Sequence, residues 1–299
     1  MSSGALHPKA FFTLLALACM FGGNHVAARV AFNHGLDVVT AVTVRGLATA
    51  AALALLLWRQ QVPLAMTARH KRVMAVIGLL VTIQSLCLYA SVARLPVALA
   101  LLAFNTYPLW TALWARLGYG HRTERRVLVA MPVILAGLAL ALDVFGAASG
   151  LGATEQWARI GAGVAYALAA GATFGGVLVL TQHEAAALDG RLRSAITMAI
   201  AGTLALLASQ FSGGLHWPQS TAGWWGLVGL TVLYGTAFTI TFTLLPRIGV
   251  VSNSPILNVE PVAALVLAWL VLGQTIAPVQ VAGALLVVGA VMALGLRRA

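Results

Sequence analysis

The sequence predicts an all-α polytopic membrane protein with ten transmembrane helices, arranged as two inverted five-helix repeats. Three observations support this fold class: 61% of the residues are hydrophobic and only 8% are charged, long apolar runs follow one another along the chain, and the second half echoes the first. Because soluble domains carry about 25% charged residues, this composition excludes a soluble globular protein.

Ten apolar runs predict the helices, since a bilayer-spanning helix needs about 20 mostly apolar residues. They lie near residues 10–32, 37–58, 72–93, 96–118, 126–143, 158–182, 192–211, 222–245, 252–273 and 278–296. A transmembrane β-barrel would show alternating segments, whereas residues 262–269 are apolar on every face. Helices are therefore the predicted spanning elements.

The basic residues orient these spans. A net charge of +11 would suggest a nucleic-acid partner in a soluble protein. Here most of the 18 Lys and Arg residues lie at the two termini and in the connections that ten spans place on one side: Lys9, Arg59, Arg69, Lys71, Arg72, Arg116, Arg122, Arg125, Arg126, Arg191, Arg193, Arg247, Arg297 and Arg298. The positive-inside rule then predicts that both termini are cytoplasmic. The positive charge is thereby explained by membrane orientation, and no nucleic-acid partner is expected. Arg45 is expected to reach the outer surface by snorkelling.

An internal repeat appears at an offset of 153 residues. Phe21-Gly22-Gly23 aligns with Phe174-Gly175-Gly176, and the same offset pairs Asn105 with Asn258 and Pro108 with Pro261. Each predicted repeat, 1–150 and 151–299, contains five helices. Because five is an odd number, the second repeat is expected to enter the membrane from the opposite side.

An inverted repeat favours transport, because it provides two nearly equivalent conformations with a site near the midplane. Duplication retained for fold stability alone is the alternative. The sequence contains no P-loop, GxSxG, HExxH or CxxC motif, and Cys19 and Cys87 lie inside predicted spans, where thiols behave as small apolar residues. We expect no cofactor, no metal and no ATP-driven step within this chain.

The paired motifs resemble those of the drug/metabolite transporter superfamily, in its two-repeat, EamA-type branch. The resemblance rests on Phe-Gly early in the first helix of each repeat, and on a fourth helix with a central proline followed by Leu-Gly (Leu117-Gly118 and Leu272-Gly273). Many relatives have Glu after the glycine that ends this helix, whereas His121 and Gln274 follow Gly120 and Gly273 here. The overall run of sequence is most similar to bacterial exporters of aromatic amino acids.

Polar residues inside the spans are the candidate solute-binding residues, because an intramembrane ionisable group is costly. Glu260 precedes Pro261 in mid-span, and we expect it to contact a solute amino group or to couple protons, with structural hydrogen bonding as the alternative. Asn105 and Asn258 precede the paired prolines, where an amide can bind a carboxylate or join helices. Asn253 shares the Glu260 face.

Other candidates lie on the first, third, fourth and eighth predicted helices. Phe21, Asn24 and His25 lie together on the first helix, and packing is the alternative for each. On the eighth helix Thr231, Tyr234, Phe238 and Thr241 form a stripe whose hydroxyl groups favour a cavity over lipid, with plain packing as the alternative. Gln84, Tyr89 and Tyr107 complete the predicted wall.

The resemblance implies a secondary transporter that exports small zwitterions, above all aromatic and other apolar amino acids, by alternating access. Export of drugs or cations with Glu260 as counter-charge is the alternative within transport, and a lipid-modifying membrane enzyme is the alternative outside it. The predicted partners are the solute and the lipid bilayer, and the sequence leaves the oligomeric state open, a monomer included.

Overall fold

Eleven helical segments make up the part of the chain that the structure, a computed structural model, describes: residues 8–121, 125–243, 260–275 and 277–296. In chain order they are α1 (Pro8–Asn33), α2 (Val38–Arg59), α3 (Ala68–Val92), α4 (Val97–Phe104), α5 (Tyr107–Tyr119), α6 (Arg125–Ala141), α7 (Ala153–Glu184), α8 (Gly190–Ser209), α9 (Thr221–Thr243), α10 (Glu260–Leu272) and α11 (Pro278–Leu296). These described residues contain no β-strand. For them the prediction of an all-helical chain is confirmed.

Seven stretches of the described chain are long and apolar enough to cross a membrane. They are α1, α2, α3, α4 together with α5, α7, α8 and α9. A helix rises about 1.5 Å per residue, so about 20 residues cover the hydrocarbon core. The described apolar parts of α6, α10 and α11 are shorter, and the number of ten spans therefore stays a prediction.

Side-chain caps mark where several helices begin. Asp37 accepts a hydrogen bond from Thr40 N (3.1 Å) at the start of α2, and Thr67 accepts one from His70 N (3.2 Å) at the start of α3. Asp189 caps α8 by accepting from Arg191 N at 2.8 Å. The Arg191 guanidinium also bonds both oxygens of Asp189, and these hydrogen bonds lower the pKa of Asp189 to about 2. Such caps satisfy N–H groups that have no partner inside the helix.

The fourth predicted span is not one helix, which corrects the single helix predicted over 96–118. α4 ends at Phe104 and α5 begins at Tyr107. The break has a physical cause, because Pro108 lacks the N–H that would bond the carbonyl of Phe104. Asn105 donates from Nδ2 to Leu101 O (3.0 Å) at the end of α4. Every residue of α4 from Val97 to Ala103 is buried, so the main apolar core surrounds this short segment.

The two repeats exchange equivalent contacts. α1 packs against α9 and α10, and its equivalent α7 packs against the equivalent helices α3 and α5. α2 packs against its own counterpart α8, and α6 packs against α11. The sequence repeat is therefore also a repeat of tertiary packing. The opposite insertion of the two repeats, and a boundary near residue 150, stay predictions.

Candidate functional site

Polar side chains from five helices meet in one cluster, which we call the polar cluster. Its members are Asn24 and His25 of α1, Arg45 of α2, Ser85 and Tyr89 of α3, Tyr234 of α9, and Glu260 of α10. Direct contacts link each member to at least one other. The cluster thus joins helices of both repeats.

His25 and Glu260 form the acidic end of the polar cluster. Nε2 of His25 lies 3.4 Å from Oε1 of Glu260. The Glu260 side chain is 24% exposed, whereas the His25 side chain is 6% exposed and its Nδ1 has no hydrogen-bond partner among the described residues. A carboxylate in this position stays accessible while a buried imidazole lies beside it, so the carboxylate can contact a ligand.

Tyr89 organises the centre of the polar cluster. It is fully buried, and its hydroxyl donates to Oδ1 of Asn24 at 2.7 Å. The rings of His25 and Phe32 meet the Tyr89 ring edge-on, with centroids 5.8 and 5.7 Å away. A buried hydroxyl normally requires such a partner. Asn24 therefore acts as a hydrogen-bond acceptor within the cluster.

Arg45 is buried inside the protein, and the expectation that it snorkels to the outer surface is wrong. Only 3% of Arg45 is exposed, and its guanidinium donates to Oγ of Ser85 at 2.8 Å. Its Cζ lies 4.0 Å from the ring centroid of Tyr234 and 4.6 Å from that of Tyr89. Both tyrosines were candidates from the sequence, but no sequence signal showed which way α2 turns its arginine.

An aromatic cluster of three rings adjoins the polar cluster. The Phe174 centroid lies 5.1 Å from that of Tyr107 and 5.4 Å from that of Phe104, and the last two are 5.7 Å apart. Glu260 interacts electrostatically with Tyr107 and also with Tyr234. The carboxylate therefore interacts with a tyrosine of the aromatic cluster and with a tyrosine of the polar cluster.

Phe21, Phe238 and Gln84 lie at the edge of the polar cluster. The Phe21 ring meets Tyr234 edge-on at 6.1 Å, and Phe238 stacks on Tyr234 at 5.1 Å. Gln84 accepts from Ser85 Oγ at 3.3 Å. These contacts bring most of the residues selected from the sequence into one region.

The remaining candidates are not joined to the cluster by the described contacts. The Asn105 amide is used at the end of α4. Thr231 and Thr241 donate to carbonyls of their own helix, at Leu227 and Ala237; a hydroxyl satisfied in this way can face lipid, so it is no sign of a cavity. Asn253 and Asn258 lie outside the described residues.

A second polar contact region, which no sequence motif predicts, lies at the ends of α3, α5 and α7. Glu184 forms an ion pair with Arg69 and accepts from the Tyr119 hydroxyl at 3.0 Å. The Nε2 atoms of His121 and His183 are 3.1 Å apart. These contacts tie the fourth span of the first repeat to the first helix of the second.

Two apolar grooves lie apart from the polar cluster. One is beside Trp269 on α10 and the other lies between α4, α10 and α11, and no member of the polar cluster lines either groove. Among the described residues, no group of three His, Cys, Asp or Glu side chains is placed to hold a metal ion. The polar cluster is therefore the candidate site.

Comparisons with known proteins give a consistent result. The sequence profile described as the EamA-like transporter family matches residues 8–142 and again residues 161–296. A solved structure whose title reads only "Crystal structure of protein" is similar in fold, with a TM-score of 0.63 and 16% sequence identity over 96% of this chain and 98% of that one. No curated protein sequence matches the chain.

Proposed function

This chain belongs to the EamA-like transporter family and is a multi-pass membrane transporter of small solutes; from that premise we propose that its solutes are zwitterions, above all aromatic and other apolar amino acids. The two profile matches correspond to the two repeats of this family. Members of the family are transporters, so the alternative of a lipid-modifying enzyme has no support.

The observation that carries the proposal is the position of Glu260. Its partly exposed carboxylate lies beside His25 and interacts with Tyr107 and Tyr234 on different helices. A carboxylate attracts an ammonium group, and aromatic rings pack well against an aromatic or apolar side chain. A solute with both features meets complementary groups in one place.

Alternating access is the proposed mechanism. The packing of α1 against α10 repeats the packing of α7 against α5. Two arrangements of similar energy are therefore expected, in which the two repeats exchange conformations. A solute then shifts the population by binding one arrangement more tightly than the other. We propose that α1 and α10 carry the bound solute between them.

The proposed direction and location follow from charge and resemblance. The distribution of basic residues supports cytoplasmic termini, and the similarity to bacterial exporters of aromatic amino acids supports outward transport across an inner membrane. Export of cationic drugs is the competing proposal, since the same carboxylate suits any organic cation.

Flux through liposomes tests the proposal. Purified protein is reconstituted, and flux of labelled L-phenylalanine is compared with that of 2-phenylethylamine, which keeps the ring and the amine but lacks the carboxylate. We expect phenylalanine to be carried well above the rate in empty liposomes and chemically unchanged. Carriage of the amine but not of phenylalanine would favour the drug exporter instead, and carriage of neither would reject both.

A further inference from the structure

Arg45 is a buried charge whose role the proposed function does not explain. Arg45 is buried within a predicted span, where a charged side chain is costly. No carboxylate forms an ion pair with Arg45 among the described residues, and Glu260 has its ion-pair contact with His25. A buried cation without a counter-charge is expensive unless something compensates it.

The neighbours of Arg45 support its charge without using up its hydrogen-bond donors. A guanidinium has five N–H donors, of which one bonds Ser85 Oγ, while Nε has no partner in the described chain. Tyr89 and Tyr234 contact Arg45 through their ring faces, and a cation–π contact needs no N–H group. The Tyr89 side chain is in addition a hydrogen-bond partner of the guanidinium. Donors therefore remain for an acceptor that is absent from the described residues.

Arg45 and Glu260 belong to one chain of contacts in the polar cluster. The Tyr89 ring centroid lies 4.6 Å from Cζ of Arg45 and 5.8 Å from the His25 ring centroid. Nε2 of His25 in turn lies 3.4 Å from Oε1 of Glu260. Tyr234 interacts electrostatically with both charges. On the other side, Tyr89 contacts Arg45 and bonds Asn24, which precedes His25 in α1. Each tyrosine thus contacts Arg45 and also interacts with the part of the polar cluster that holds Glu260.

We infer that Arg45 binds the carboxylate of the transported solute, while Glu260 meets its ammonium group. This inference rests on the proposed function and deepens it, because it gives each charge of a zwitterion a separate protein partner. Arginine suits the task, since two of its N–H groups can bond both oxygens of a carboxylate. The carboxylate of the bound solute then also supplies the missing counter-charge. Neutralising the buried guanidinium stabilises the complex relative to the free protein.

The inference is tested by the ratio of two dissociation constants, measured on the purified full-length protein in nanodiscs. The probes are L-phenylalanine and 2-phenylethylamine, and the variants are Arg45→Gln and Arg45→Lys. We expect Arg45→Gln to weaken phenylalanine binding about tenfold or more, because a charge-assisted hydrogen bond is lost. The dissociation constant of the amine should stay within about twofold of the wild-type value. Arg45→Lys keeps the charge and should retain an intermediate preference for phenylalanine.

Arg29→Gln is the matched control. Arg29 also lies in a predicted span, but it donates to the carbonyls of Val92 (2.7 Å) and Leu95 (3.3 Å) at the end of α3. Its loss should lower the melting temperature without changing the ratio of the two dissociation constants. Should Arg45→Gln fail to fold, Ser85→Ala removes the hydroxyl that positions the guanidinium and should weaken phenylalanine binding alone, by a smaller factor.

The outcomes separate this inference from the proposed function. If the wild-type protein binds phenylalanine and the Arg45 and Ser85 variants change both ligands equally, or neither, the inference is overturned and the proposed function stands. If the wild-type protein binds the amine but not phenylalanine, both are overturned. A selective loss of phenylalanine in the Arg45 variant supports both.

Discussion

The corner where α1 meets α10 and the corner where α7 meets α5 share their backbone packing but not their chemistry. A Cβ added to Gly22 would lie 3.0 Å from Ala264 N, and one added to Gly175 would lie 2.8 Å from Thr111 N. The repeat offset relates the first pair of residues to the second. Glycine is needed at both corners because the helix backbones approach too closely for a side chain.

The side chains at the two corners have diverged. At the first corner His25 faces Glu260, whereas the equivalent residues at the second are Leu178 and Tyr107. Asn24 likewise corresponds to Val177. The two corners therefore share the backbone shape that the proposed alternating access requires, whereas the ion pair proposed to contact the solute lies at one corner. Each prediction below either tests the equivalence of the corners or measures the difference between them.

The largest expected effect is all-or-none and concerns the inversion that relates the corners. In a protein with Cys19 and Cys87 replaced by alanine, single cysteines at His34 and Ala187 report the two connections that follow α1 and α7. We expect a membrane-impermeant thiol reagent to label the first only from outside and the second only from inside. Labelling of both from the same side would show that the repeats are not inverted.

The chemical difference between the corners predicts a large loss of flux for Glu260→Gln. Removing the charge takes away a charge-assisted contact worth about 1.5 to 3 kcal/mol, which is about a tenfold to hundredfold effect. Tyr107→Phe at the equivalent position keeps the ring and should change phenylalanine flux less than about twofold. Equal effects of the two substitutions in liposome flux would mean that the corners contribute alike.

The shared packing predicts similar destabilisation of both corners by valine. Gly22→Val and Gly175→Val each force a side chain against backbone atoms, which cannot rotate away, and overpacking costs about 1 to 3 kcal/mol. Gly118→Ala is the control, because a Cβ there meets nothing within 4 Å. Melting temperatures in detergent should fall for the first two variants and stay near wild type for the third. An unchanged melting temperature for Gly175→Val would contradict the equivalent packing of the two corners.

The smallest expected effect comes from Tyr89→Phe in the polar cluster. The substitution removes the hydroxyl that donates to Asn24 and leaves the ring against Phe32. The loss of one neutral hydrogen bond costs about 0.5 to 1.5 kcal/mol, so phenylalanine flux should fall severalfold and remain measurable. A loss as large as that of Glu260→Gln would place Tyr89 in direct contact with the solute.

Several features could be predicted from local sequence alone. The bounds of most described helices lie within a few residues of the apolar runs, although α7 begins five residues before the predicted position at 158. The break between α4 and α5 was missed although Pro108 signals it, because proline is often tolerated inside membrane helices. Whether a proline breaks such a helix depends on whether neighbouring groups donate hydrogen bonds to the carbonyls that it leaves without an N–H partner.

The candidate site was predicted only in part, for a different reason. Glu260, His25 and Asn24 stand out as polar residues in apolar runs, and each lies in the polar cluster. Arg45 has the same signal, but an arginine about two turns into a helix can either reach the membrane surface or turn inward. The prediction that the hydroxyls of Thr231 and Thr241 line a cavity rests on the same incomplete signal. The sequence does not show whether a hydroxyl donates to a carbonyl of its own helix, as both of these do.

The sequence by itself determined that this chain is a helical membrane transporter with two repeats. It did so through its hydrophobic runs, its repeated glycines and prolines, and the positions of its basic residues. Those properties depend on composition and spacing along the chain, which need no knowledge of neighbours. Only the tertiary structure decided that Arg45 turns towards two tyrosines and that Glu260 meets His25. The rotation of each helix about its axis is set by packing against helices distant in sequence.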